Sequence, residues 1–534
     1  MLHDNLILIL VLLLGVTLLV MVGQKIKISY PIFLVLAGLL IGFIPGIPHI
    51  KIDPDLVFLL FLPPLLYEAA WFTSWKDFWE FKGGIFLMAV GLVFITSVAV
   101  AYASVIFIPG FTLALGFLLG GIVSPPDAVA AAAVLKGMKI PKVVSTLLEG
   151  ESLVNDASSL IVFKFALATI VSGTFVMQDA AVSFVTVAGL GILIGLAVGG
   201  IFYVIHRWLP TTDNIDTVLT LLTPYFMYIT AEHFEASGVM AVVSGGLLLS
   251  SQSHIILTSS SRIKTVNVWS SLIFMLNGVV FILIGLALPD IVNGLGPDYP
   301  ITKAIGYGFG ISILALFVRM IWLVSTAQIT LLFNKKTRIR YRDMTWHSYV
   351  VIIYAGMRGV VSLAAALSIP VMISDSVAFP LRNLILFITF VVIFITLVLQ
   401  GLTLPLVIKW LKIPDPKSKL TEQEQTNQIK LKLIDLSLDK LNADYQHQCT
   451  HNELMVNLKA ELQHALKEKR DNIHAYRRGE IDKEDLKAYR EIVLALIQIQ
   501  RDELHHLKRN KKYDDEVIRK EEWRLDLEEL SIIS

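Results

Sequence analysis

Apolar residues in this chain come mostly in runs long enough to cross a bilayer rather than alternating with polar ones. A spanning helix needs about 20 mostly apolar residues. Thirteen stretches approach or meet that rule: 5–22, 30–46, 55–72, 83–107, 111–135, 143–171, 179–206, 214–232, 237–251, 266–288, 303–333, 345–370 and 380–411. Each is predicted as a transmembrane helix. The stretch at 237–251 is the shortest, and that at 303–333 is long enough to tilt strongly. The first run follows Met1-Leu2-His3-Asp4-Asn5, which lacks the basic start of a secretory signal, so it is expected to be retained.

Beyond residue 412 the pattern changes. Residues 413–534 hold 22 of the 45 Lys and Arg and 25 of the 44 Asp and Glu. The chain therefore reads as a polytopic all-α membrane domain over 1–412 and a helical cytoplasmic tail over 413–534. Pro414-Asp415-Pro416, which cannot continue a helix, marks the boundary. In the tail, Leu486, Tyr489, Ile492, Val493, Leu496 and Ile497 recur at helical spacing. Ile481-Asp482-Lys483-Glu484-Asp485 has the form of a helix start. A regulatory or dimer-stabilising module and a helical hairpin packed on itself both fit this pattern. Six of the twelve histidines lie there, scattered on polar helices, and are read as solvated.

Composition removes whole classes of function. The chain is 55% hydrophobic and 17% charged, against about 25% charge in soluble domains, and its mean hydropathy is +0.68. A soluble enzyme is excluded. A net charge of +1 gives no case for a nucleic-acid partner. With one cysteine, Cys449, there is no intrachain disulfide and no Cys-based metal site. Gly191, Gly195 and Gly199 stand four apart in an apolar run, which suits close helix packing rather than phosphate binding.

Loop charge predicts the orientation. With the N-terminus outside and the tail in the cytoplasm, seventeen Lys and Arg fall in cytoplasmic loops, among them Lys136, Lys139, Lys142, Lys335, Lys336 and Arg338. Three, Lys51, Lys303 and Arg382, fall outside. Two stretches are broken. The fifth carries Ser124-Pro125-Pro126-Asp127, where paired prolines remove donors and clash with the preceding turn. The twelfth carries Gly356-Met357-Arg358-Gly359. Broken helices at membrane depth persist only where they are buried or line a cavity. They stand seven spans apart, so spans 1–6 and 8–13 form two repeats of opposite topology with two discontinuous crossing helices, the pattern that points to a transport site.

Ionisable residues inside the apolar runs are Glu68, Asp127, Glu149, Glu151, Asp156, Lys164, Glu232, Arg319 and Arg358. Each costs about 2.5–3.5 kcal/mol at a helix centre, so each must be paired, wet or functional. In the sixth span, Glu151 and Asn155 stack at i,i+4, and Ser152 and Asp156 stack on the adjacent face. Their hard oxygen donors suit an alkali cation rather than a transition metal. If Arg358 pairs with Glu151, held by Asn155, then Asp156 remains without a fixed counter-charge and can take a proton or a metal ion. Half-helix ends carry partial charge, and Asp127 and Arg358 would each neutralise the end it faces. Glu68 is either a second cation ligand or the lining of an entry funnel. Glu149 is read as solvated and Glu232 as interfacial. Lys164 either snorkels outward or pairs with an acid, and Arg319 needs a partner that the sequence does not name.

Four motifs in this order carry a family resemblance: Phe61-Leu62-Pro63-Pro64-Leu65-Leu66-Tyr67-Glu68, Ser124-Pro125-Pro126-Asp127-Ala128-Val129, Glu149-Gly150-Glu151-Ser152-Leu153-Val154-Asn155-Asp156 and Gly356-Met357-Arg358-Gly359-Val360-Val361-Ser362. Over about residues 5–412 the chain resembles the bacterial sodium/proton antiporters of the monovalent cation/proton antiporter-1 family, related to animal sodium/hydrogen exchangers. The resemblance implies that Asp156 is the essential carboxylate shared by cation and proton. It implies that Ser152 and Glu68 contribute cation oxygens, and that Glu151, Asn155 and Arg358 form a structural ion-pair cluster beside the site. Within the family an Asn-Asp pair is the pattern of electroneutral one-for-one exchange, and the resemblance further implies a homodimer with an elevator-like motion. No cofactor is implied beyond the transported cation and proton; membrane lipid is the surrounding partner. Many relatives have Thr-Asp-Pro at the fifth-span break. Here Pro126-Asp127-Ala128 loses the hydroxyl, although a carbonyl near Pro126 can still serve as ligand. Sodium, lithium and potassium all stay open as substrates. The rival classes are a cation channel and an intramembrane hydrolase using Asp127 and Asp156, the latter without a His-Glu-x-x-His motif.

Overall fold

A computed structural model describes residues 2–533 apart from 27, 45–58, 136–137, 139, 174–176, 296–298, 334–343, 375–376, 412–421, 448, 450–451, 478–482 and 510–514. Lys51, Lys136, Lys139, Lys335, Lys336, Arg338, Pro414-Asp415-Pro416 and Ile481-Asp482 therefore lie outside the described residues. The chain divides into two compact units, Met1–Asp415 and Pro416–Ser534.

The first unit is helical nearly throughout. Its helices are α1 (Leu2–Ile26), α2 (Tyr30–Gly42), α3 (Leu62–Phe72), α4 (Trp75–Phe107), α5 (Leu113–Val123), α6 (Ala128–Leu135), α7 (Lys142–Ser172), α8 (Met177–Trp208), α9 (Asp213–His233), α10 (Gly238–Ile256) and α11 (Ser259–Leu286). They continue through α12 (Leu288–Asn293), α13 (Ile301–Phe333), α14 (Trp346–Tyr354), α15 (Val360–Leu367) and α16 (Arg382–Leu411). Helix is present within each of the apolar stretches, and among the described residues eight helical segments are long and apolar enough to cross a membrane. The all-α expectation needs one addition. Two short strands, β1 (Met372–Ser374) and β2 (Val377–Ala378), pair antiparallel in the loop before α16.

Both expected breaks are present, between α5 and α6 and between α14 and α15. Two further irregularities were not read from sequence: π-helical turns at Leu87–Leu92 within α4 and Ile395–Gln400 within α16. Trp322 Nε1 donates to the Leu87 carbonyl at 3.1 Å, and the Thr396 hydroxyl donates to the Val392 carbonyl at 2.8 Å.

The small residues of α8 do pack closely. A Cβ added at Gly195 would meet the Ala241 carbonyl of α10 at 2.1 Å, so only glycine allows that approach. At another junction, buried His206 of α8 lies 2.9 Å from Asp216 of α9, which also accepts from the Ser261 hydroxyl of α11 at 2.8 Å. This fixes three helix ends together.

The second unit contains α17 (Glu422–Asp444), α18 (Glu453–Arg477), α19 (Lys483–Arg509) and α20 (Asp515–Ile533). Arg470 of α18 pairs with Asp435 of α17 at 3.1 Å, and Arg501 of α19 pairs with Asp526 of α20 at 2.6 Å. Of the stripe expected on α19, Ile497 is buried, while Ile492 and Leu496 are exposed.

Candidate functional site

The site forms where the two broken helices cross. Pro125 and Pro126 end α5, and the chain restarts at Asp127. Its carboxylate accepts from the Ala130 amide at 3.4 Å at the start of α6, where an acid offsets the positive end of the helix dipole. The Asp127 amide donates to the Met357 carbonyl in the other break at 2.6 Å. In return, Arg358 Nε donates to the Val123 carbonyl at the end of α5 at 2.9 Å, and its Nη1 donates to the Gly356 carbonyl at 2.5 Å. The Arg358 amide donates to the Thr396 hydroxyl at 3.0 Å, tying this break to the π turn of α16. Asp127 thus sits on a positive helix end and Arg358 on negative ones. A Cβ at Gly359 would lie 1.7 Å from the Asp127 carboxylate, so glycine is what lets that carboxylate sit against the second break.

The expected Glu151–Arg358 ion pair is corrected. Glu151 is paired instead with Arg319 of α13 through two parallel hydrogen bonds of 2.6 and 2.7 Å, both side chains being fully buried. Arg319 Nε also donates to the Ile352 carbonyl of α14 at 3.0 Å. The physical reason is the turn of the chain at the break, which commits the Arg358 guanidinium to carbonyls left open by interrupted helices. Asn155 likewise serves the break: its Nδ2 donates to the Pro126 carbonyl at 2.9 Å. Lys164 pairs with Glu232 of α9 at 2.9 and 3.1 Å, which resolves the two readings of that lysine.

A cavity of about 320 Å³ opens beside the crossing and brings together Glu68, Pro126, Asp127, Ser152 and Asp156. Glu149 also lines it and is exposed. Glu151, Asn155 and Arg358 are not among its lining residues. Asp156 is buried on α7, and the charge that acts on it is another carboxylate, Asp127. Among the described residues no basic side chain pairs with it. Glu68 is half-buried on α3, where neighbouring Tyr67 packs between Trp71 and Trp269. Two lining residues went unassigned at sequence level. Ser362 lay inside a quoted motif without a role, and Asn277 of α11 was one uncharged amide in an apolar run. The signal for Asn277 was its polarity at membrane depth.

The arrangement can hold a dehydrated cation or a proton: a buried carboxylate, hydroxyl and carbonyl oxygens beside it, and helix ends whose partial charges are already met. A family model described as "Sodium/hydrogen exchanger, transmembrane" matches residues 9–410. The chain is 35% identical over 387 residues to the "Sodium, potassium, lithium and rubidium/H(+) antiporter" of Bacillus subtilis (strain 168), covering 71% of this chain and 58% of that protein. It is 33% identical over 389 residues to the "Na(+)/H(+) antiporter ApNhaP" of Aphanothece halophytica, covering 72% and 70%. Its fold is similar to the solved structure of the sodium proton antiporter MjNhaP1 from Methanocaldococcus jannaschii at pH 8. There the TM-score is 0.59 and the identity 18%, over 75% of this chain and 99% of that one. On this ground the chain belongs to the transmembrane sodium/hydrogen exchanger family.

Proposed function

We propose that the chain is a secondary transporter, not an enzyme, that exchanges a monovalent cation for a proton, one for one and without net charge movement. Sodium is the first candidate substrate, with lithium accepted. One observation carries this reading: Asp156 is buried at the wall of the cavity with no basic partner among the described residues, while Arg319 is taken by Glu151 and Arg358 by backbone carbonyls. Asp156 then takes either guest but not both. Ser152 and the Pro126 carbonyl supply further cation oxygens beside it, and the Glu68 and Asp127 carboxylates, which share the cavity, act through water. Glu151 and Arg319 hold the fold beside it.

In the proposed cycle Asp156 meets one side of the membrane, binds the cation and is neutralised. The neutral site crosses; a bare carboxylate crosses poorly, because an unpaired charge is costly away from water. On the far side a proton displaces the cation and allows the return. Thirteen crossings, an external N-terminus, a cytoplasmic tail, a homodimer in the cell membrane and a role in pH homeostasis complete the reading. A potassium/proton exchanger is the second reading, favoured by the breadth of cations in the name of the Bacillus subtilis relative.

The test is Asp156→Asn, which keeps the side chain's size and removes its ionisation. In proteoliposomes with a pH-sensitive dye, sodium-driven proton flux should fall to background. Undiminished flux in that variant would refute the mechanism.

A further inference from the structure

We propose that Asn277 and Ser362 lend neutral oxygens to the transported cation and thereby set which alkali ion the site prefers. This rests on the exchange reading above. Both residues line the Asp156 cavity, and they come from α11 and α15 rather than from α7. Both are only 2% exposed. In each, the side-chain oxygen, Asn277 Oδ1 or Ser362 Oγ, is buried and has no hydrogen-bond partner among the described residues. Leaving a buried polar atom unpaired is costly, and such atoms in a native fold call for a reason.

A dehydrated cation supplies the reason. Hard cations gather several oxygens at once. Among the described residues no three Asp, Glu, His or Cys side chains come together as a ligand set. A cation seated at Asp156 therefore completes its shell largely with neutral oxygens. Ser152 and the Pro126 carbonyl are two such donors, and Asn277 and Ser362 add two more from other helices. Neutral oxygens raise coordination without adding charge, so one-for-one competition at Asp156 is preserved. A proton needs a single carboxylate oxygen, whereas a cation needs the shell. Losing a neutral oxygen should weaken cation binding, by different amounts for ions of different size.

The experiment uses the full chain in proteoliposomes with a pH-sensitive dye, supplying Na⁺, Li⁺ and K⁺ in turn. Asn277→Leu and Ser362→Ala remove the oxygens; Asn277→Gln and Ser362→Thr keep neutral ones. Asn277→Ala, which shortens the side chain, replaces Asn277→Leu if that variant does not fold. In the oxygen-free variants the apparent KM for sodium should rise about tenfold, the equivalent of one lost ligand contact, and the ratio of the potassium to the sodium KM should change. Ser362→Thr and Asn277→Gln should restore most of the sodium affinity. Unchanged KM values for all three cations in the oxygen-free variants would overturn the inference. So would an equal rise in the oxygen-keeping variants, which would mark a packing role. Cation-driven flux by the parent chain would in either case leave the exchange reading standing. No such flux from the parent would sink that reading and this inference together.

Discussion

Glu151 and Arg319 are closed to solvent, and neither charge is tenable there alone. Breaking a buried pair from one side typically costs about 3–5 kcal/mol, whereas replacing both partners with apolar groups is often close to neutral. Arg319→Met should therefore lower the thermal midpoint in detergent sharply, and Glu151→Leu with Arg319→Met should recover much of the loss. Equal stability of the single variant and the parent would count against the pair. The need for a buried partner for Arg319 was legible in the sequence, because an arginine inside an apolar run cannot stand unpaired. Its identity was not. Two arginines and several acids allow several pairings, and only the path of the chain at the second break shows that Arg358 is occupied by the Val123 and Gly356 carbonyls. Asp156, Ser152 and Glu68 were legible because carboxylates and hydroxyls stand out among leucines. Asn277, a lone amide, did not.

Among the elements, the two interrupted helices depend on each other. The break at Pro125-Pro126 frees carbonyls and an amide, and the break at Gly356–Gly359 receives them: Asp127 bonds Met357, and Arg358 bonds Val123. The contact is tight enough that a single methyl should part it. Gly359→Ala places a Cβ 1.7 Å from the Asp127 carboxylate, so that carboxylate must leave its place at the crossing. The expected result is a strong loss of cation-driven flux at a normal expression level, measured beside Gly83→Ala, where the added Cβ meets nothing within 4 Å. Full activity of Gly359→Ala would mean that the crossing need not be this close. Prolines and paired glycines announced both breaks. The π turns were invisible to periodicity, since one extra residue in a helical turn leaves an apolar run apolar. The strand pair before α16 was missed for its brevity, with three and two residues.

For the molecule as a whole, every lining residue of the site lies in the unit Met1–Asp415, and the family model ends at residue 410, before the charged tail. The account accordingly places exchange in the membrane unit and rests it on competition at one carboxylate. Mass action then fixes the pH dependence. Where Asp156 is mostly protonated, each unit fall in pH multiplies the competing proton tenfold, so the apparent sodium KM should rise by about tenfold per unit. Where Asp156 is mostly ionised, the KM should level off. The direct measurement is the apparent sodium KM of proteoliposomes titrated over a series of equal internal and external pH values, by isotope exchange at zero gradient. The account predicts a KM that climbs steadily toward acid pH while the maximal rate at saturating sodium stays bounded. A sodium KM that does not move with pH, with the two ions held independently, would contradict it.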